Sequence, residues 1–142
     1  MKVFVSAFAE QIRALGFTVH EGRVDTGVLS ASDFPYVVVS AGLQYDFSGN
    51  DRYSDSLADV VDAIDMPLRV TCAGLTDDSV GVLQSRVRAE MNRASLTVSG
   101  FSPARLKVSP LVATSPDTTV AFDGLNPQYC IDEFRVITSK ER

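Results

Sequence analysis

The sequence is poor in the groups that most enzymes use. It has one histidine, His20, and two cysteines, Cys72 and Cys130. A serine or cysteine hydrolase needs a nucleophile, a base and an orienting group, and neither cysteine stands in an activating setting. The nucleophile elbow, the phosphate-loop lysine, the dinucleotide glycine fingerprint and a pair of metal-ligating histidines are all absent. His20 reads as a solvent-facing strand residue. The cysteines lie in apolar, strand-like runs without the short spacings of metal sites, and are expected as buried reduced thiols. No apolar run approaches the ~20 residues of a membrane helix. The N-terminus lacks a continuous apolar stretch with a small-residue cleavage site, so no secretory signal is expected. A formal net charge of −5 disfavours a surface that binds DNA by neutralising its phosphates.

What remains is ordinary globular usage. Hydrophobic residues make up 45% and charged residues 22% of 142 positions, which suits a single domain with a real core. The clearest pattern lies at 68–93. Leu68, Val70 and Cys72 alternate on one face of a strand that Gly74 closes. Thr76 reads as a helix N-cap, with Asp77 and Asp78 in the first turn, where they favour the helix dipole. Val80, Leu83, Val87 and Met91 then form an apolar stripe, and Gln84, Arg86, Arg88, Glu90 and Arg93 are expected elsewhere on the surface. Arg86, Arg88 and Arg93 read as a basic helix face that pairs with Glu90 or contacts a neighbouring subunit.

Around this unit, Phe4, Phe8, Ile12 and Leu15 share a helical face, and Gly16 fits a left-handed C-cap. Residues 17–24 switch to the period of a strand near an edge. A loop over 28–33 ends at Phe34-Pro35. The strand at 36–41, apolar on both faces, is expected in the middle of the sheet. Residues 57–64 read as an extended lead-in to a strand beginning near Met66, with Pro67 tolerated only off-centre. Further expectations are a short extended piece at 96–98, a turn at Gly100 and a strand at 105–109 ending at Pro110. A loop at 113–119, a strand at 120–122 pairing with the last element, a closing strand at 129–137 and a polar tail from 138 complete the chain. The fold class is therefore α+β: a single, mostly antiparallel sheet of about four to six strands, an N-terminal helix, and a second helix at about 76–94.

The stretch 44–56 changes character. It mixes Asp, Ser, Gly and Asn with three aromatics, and carboxylates continue through Asp59, Asp62 and Asp65. Asp46, Ser48, Asn50 and Asp51 are oxygen donors, yet Gly49 falls too early for an EF-hand loop and the closing glutamate is missing, so no metal site is assigned. Tyr45, Asp46, Phe47, Asp51, Arg52, Tyr53 and Asp55 are instead the candidate channel or partner-contact loop. Its aromatics either pack back on the core or serve as contact anchors.

The order of signals also carries a resemblance. An N-terminal helix is followed by Pro35-Tyr36-Val37-Val38-Val39 and a variable loop. Then come Leu68-Arg69-Val70-Thr71-Cys72-Ala73-Gly74-Leu75-Thr76 and a helix with Val87-Arg88-Ala89. Leu96-Thr97-Val98-Ser99-Gly100, Asp123, Tyr129 and Asp132-Glu133-Phe134-Arg135-Val136 complete it. Over about residues 30–138 this resembles the tail terminator proteins of long, flexible-tailed phages, in particular those of actinobacterial hosts. The resemblance implies a virion protein of the tail–neck junction, made in the host cytoplasm. It implies a homohexameric ring that caps the tail tube, ends tube polymerisation and offers the surface that joins the head. Its implied partners are further copies of itself, the major tail tube protein and a head-completion or connector protein, with no cofactor, no catalysis and no membrane. DNA is expected to pass through without specific binding, with Asp46, Asp51 and Asp55 facing the channel. Another head–tail neck adaptor, and a small ligand-binding domain or enzyme, are the alternative readings.

Overall fold

The computed structural model describes residues 2–24, 29–41 and 63–139. Two helices lie against one face of a six-stranded sheet. In chain order the elements are α1 (Lys2–Arg13), β1 (Val19–Glu21), a single 3-10 turn (Ala31–Asp33), β2 (Tyr36–Ala41) and β3 (Ala63–Gly74). They continue with α2 (Asp77–Met91), β4 (Ser95–Leu96), β5 (Ala104–Pro116) and β6 (Gln128–Ser139). The strands are ordered β1-β2-β3-β6-β5-β4. The β1–β2 pair is parallel and the other four pairings are antiparallel, so the expected α+β fold with a mostly antiparallel sheet is the observed one.

The core follows the alternation of the strands. Val37 and Val39, Leu68, Val70 and Cys72, Leu106, and Cys130, Phe134 and Val136 all face the helices. Onto them α1 sets Phe4, Phe8 and Ile12, and α2 sets Val80, Leu83, Val87 and Met91, all buried as their spacing predicts. Phe8 meets Phe134 edge-on with ring centroids 5.0 Å apart. Gly16 adopts the positive φ (+96°) of the expected C-cap, although α1 ends at Arg13 and Leu15 is only half-buried. Thr76 is the N-cap of α2, its hydroxyl accepting a hydrogen bond from the Ser79 amide at 3.1 Å.

Several expectations are corrected. The edge strand expected at 17–24 is only the three-residue β1, because Gly22 turns the chain at a positive φ of +83°. The middle of the sheet is the β3–β6 pair rather than the 36–41 strand. These twelve-residue strands pair along their whole length, whereas β2 is six residues long with only β1 outside it. β3 begins at Ala63 rather than near Met66, and the rest of the 57–64 stretch lies outside the described residues.

β5 does not stop at Pro110, and residues 113–116 belong to it rather than to a loop. Hydrogen-bond alternation gives the reason. The Leu106 amide donates to Ala94 O and the Val108 amide to Asn92 Oδ1, so even-numbered residues here point their amides away from β6. Pro110 therefore puts its donorless nitrogen on the outer edge, where no ladder bond is lost. Register shifts follow on either side of Val112. By the same alternation Pro67 turns its nitrogen away from β6 to the side of β2, one residue past Leu68–Ala41, the last β2 rung among the described residues.

Residues 120–122 do not pair with the last strand. Phe122 bridges back to Leu125 in a local turn that Asp123 and Gly124 close with positive φ. Finally, Thr138 and Ser139, expected in a polar tail, belong to β6, and residues 140–142 lie outside the described residues. Thr138 is buried and donates its hydroxyl to Ser102 O at 2.5 Å, which holds β6 in register through Ser139.

Candidate contact surface

The three arginines proposed as one basic face are separated by their local geometry. Arg88 reaches across from α2 to Asp132 of β6, Nε to Oδ2 at 2.8 Å and Nη2 to Oδ1 at 2.7 Å. One turn earlier Gln84 Nε2 donates to the same Oδ1 at 3.2 Å. Asp132 is 2% exposed and sits between the core-facing Cys130 and Phe134, so this bidentate pair fixes α2 on the sheet from within. The hydrogen bond to Asp132 outweighs burial and raises the Arg88 pKa above its ordinary value. Arg86 lies over the Phe17 ring, 4.8 Å from its centroid. Arg93 falls beyond the helix at φ +66°, its amide donating to Leu106 O. None of the three pairs with Glu90 among the described residues. Gln84 and Arg88 thus belong to the helix–sheet interface rather than the open surface. The loop residues Tyr45, Asp46, Phe47, Asp51, Arg52, Tyr53 and Asp55 lie outside the described residues.

Cys72 and Cys130 stand directly opposite each other on one rung of β3 and β6 as buried free thiols. The hydrogen bond with Cys130 and burial push the Cys72 thiol up, and the same hydrogen bond lowers that of Cys130. His20 is half-buried rather than solvent-facing, its ring meeting that of Tyr36 edge-on at 5.4 Å. Among the described residues no three His, Cys, Asp or Glu side chains gather as a metal would need.

The functional interest therefore moves to the face of the sheet away from the helices, on which no helix lies among the described residues. Strand alternation puts Tyr36 and Val38 of β2, Asp65, Arg69, Thr71 and Ala73 of β3, and Tyr129, Ile131, Glu133, Arg135 and Ile137 of β6 on that face. Arg105 and Lys107 of β5 join them, opposite Ile137 and Arg135. The two ends of this face differ. At one end segment 117–127 folds over the strands, Phe122 packing on Phe34 at 5.0 Å and Phe34 on Tyr36 at 5.0 Å. An open, mostly apolar groove of about 280 Å³ remains between them, floored by Val38, Thr71, Ala73 and Ile131 and rimmed by Asp117. Burial, and then the Asp117 carboxylate, raise the Tyr36 hydroxyl above its ordinary pKa.

The other end is basic. Arg93, Arg105, Lys107 and Arg135 surround an open groove of about 600 Å³ with Ile137 at its side. Lys107 and Arg135 stand directly opposite each other on neighbouring strands, an arrangement that costs stability unless an acid answers it. Asp65 answers Arg135 in a bidentate pair at 2.7 and 2.5 Å, and the Arg135 hydrogen bond holds the Asp65 carboxyl below its ordinary pKa. Ile137 is 57% exposed, between Arg105 of β5 and Asp65 of β3 on the neighbouring strands.

Neither end was read from the sequence. A buried Asp132 was signalled by its place in the alternation Cys130, Asp132, Phe134, Val136, since a carboxylate at a core-facing position needs a partner. The groove carries no such signal, because it depends on where segment 117–127 folds. Compared with protein-family models and with curated protein sequences, the chain matches none.

Proposed function

We propose that this chain is a structural subunit of a phage tail, forming a ring that caps the tail tube, ends its polymerisation and provides the head-joining surface. The observation that supports this reading most is the two-sidedness of the sheet. One face is sealed by both helices, while the other offers an apolar groove at one end and, at the opposite end, an exposed Ile137 between Arg105 and Asp65. An open apolar groove with a polar rim is a surface that a neighbouring subunit can cover. The order of motifs along about residues 30–138 adds the resemblance to tail terminators.

The test is tube growth. Purified chain is added to polymerising cognate tube protein and tube lengths are measured by negative-stain imaging over time. Arrest of growth at substoichiometric chain, about one ring per tube, supports a terminator. Unchanged growth together with tight binding to the head connector moves the chain to the other neck adaptors.

A further inference from the structure

Among the described residues, the two ends of the open sheet face differ in their unpaired charges. At the end where β3 finishes and β6 begins, the exposed Asp77 and Asp78 open α2, and Asp117 and Asp123 lie on the segment over the apolar groove. At the opposite end Arg93, Arg105 and Lys107 are exposed, and none has a carboxylate partner among the described residues. Beside them Ile137 stands out, six residues along β6 from Ile131 in the groove floor, or about 20 Å. The apolar projection thus has Arg105 on one flank and the Asp65–Arg135 pair on the other, with Arg93 and Lys107 close by, and the apolar recess is rimmed by an acid, on the same face and at opposite ends.

We infer that two copies join head to tail, with Ile137 of one copy entering the groove of the next over Val38, Thr71 and Ile131, while Arg105 and Lys107 meet Asp117 and Asp123. The inference rests on the ring reading above and names its subunit contact. The occupant is a second copy because the chain itself carries both halves of the match, in charge and in apolar surface. Each end is different, so the contact is heterologous: it leaves one free groove and one free isoleucine in every open oligomer, and it ends only by closing a ring. Lys107 gains most from such a partner, since Asp65 already pairs with Arg135 opposite it and no described carboxylate pairs with Lys107. The edge of β5 is not used. Asn92, Arg93 and Pro110 already occupy or blunt it, as an edge protected against unwanted pairing requires.

The experiment uses the full chain and two exposed or half-exposed variants, Ile137→Asp and Val120→Arg, the second blocking the groove from its rim. Circular dichroism melts first establish that both fold as the parent does. Sedimentation velocity over a concentration series then reads association. The expected result is self-association of the parent that weakens about tenfold or more between low and high salt, and monomers for each variant alone. An equimolar mixture of the variants should form dimers and stop there, because Ile137→Asp keeps a groove and Val120→Arg keeps an isoleucine. Variants that associate like the parent, a parent that stays monomeric at every concentration, or a mixture that stays monomeric would each overturn the contact. The functional reading fails separately. Variants that still arrest tube growth refute this contact and leave the terminator standing, whereas a parent that associates through these residues without arresting tubes refutes the terminator and leaves the contact.

Discussion

Removing either partner of the Arg88–Asp132 pair should destabilise the protein, but by different amounts. Asp132 is almost wholly enclosed, its side chain 3% exposed, whereas the Arg88 side chain is 36% exposed and can swing into water. Arg88→Ala strands a carboxylate that keeps only the Gln84 amide at 3.2 Å. Breaking a buried pair in this way costs about 3 kcal/mol, at the low end for buried pairs because Gln84 remains. Asp132→Asn instead releases the guanidinium toward solvent and keeps one acceptor oxygen, so it costs about 1–2 kcal/mol. In a chain of this length the first change lowers Tm by on the order of 10 °C. The double variant Arg88→Met/Asp132→Leu removes both charges and should recover most of the loss, because an apolar pair carries no stranded ion. Urea melts with an unchanged m-value measure all three. Equal costs for the two single variants, or a larger cost for Asp132→Asn, would refute the reasoning that burial of the carboxylate sets the energetics.

Three further outcomes follow from local geometry. Thr76→Ala removes the N-cap of α2 and should cost about 1 kcal/mol, with Thr76→Ser close to the parent in the same melts. Two glycines should respond with opposite sign. Gly74→Ala places a methyl 2.9 Å from Ser79 Oγ and 3.2 Å from Val80 Cγ2 and lowers Tm, whereas Gly81→Ala meets nothing within 4 Å inside α2 and raises stability by about 0.5–1 kcal/mol. The Asp65 carboxyl has its pKa depressed by Arg135, so its contribution is present above the ordinary carboxylate pKa and is lost as pH falls below about 4. Both partners are well exposed, which keeps that contribution under about 1 kcal/mol. Tm measured at pH 5 and pH 3 should therefore fall by a slightly smaller amount in Asp65→Asn than in the parent.

The helices and the core strands were legible because their burial is one-sided. The spacing of Val80, Leu83, Val87 and Met91 and the alternation at Leu68, Val70 and Cys72 record directly which side meets the core. Where local chemistry and tertiary context diverge, the reading erred. Pro110 is a strand breaker in sequence, yet on an outer edge its missing N–H costs nothing, so β5 runs on to Pro116. Apolar on both sides, the 36–41 strand reads as the middle of a sheet. Tyr36 and Val38 are apolar for another reason, since they floor the groove beneath Phe34 and segment 117–127. The arginines of α2 were grouped by proximity along the chain, but a helix turns 100° per residue, and Arg86 and Arg88 end on different neighbours, Phe17 and Asp132. The contact surface itself joins residues from β2, β3, β5 and β6 that are distant in sequence. No local pattern encodes that juxtaposition.

The most direct test of the account is to incubate purified chain with preformed, sonicated tubes of the cognate tail protein and image the tube ends by electron microscopy. The account predicts a six-fold ring with an open centre on one end of each tube, and its loss with Ile137→Asp. Bare tube ends at saturating chain would contradict it.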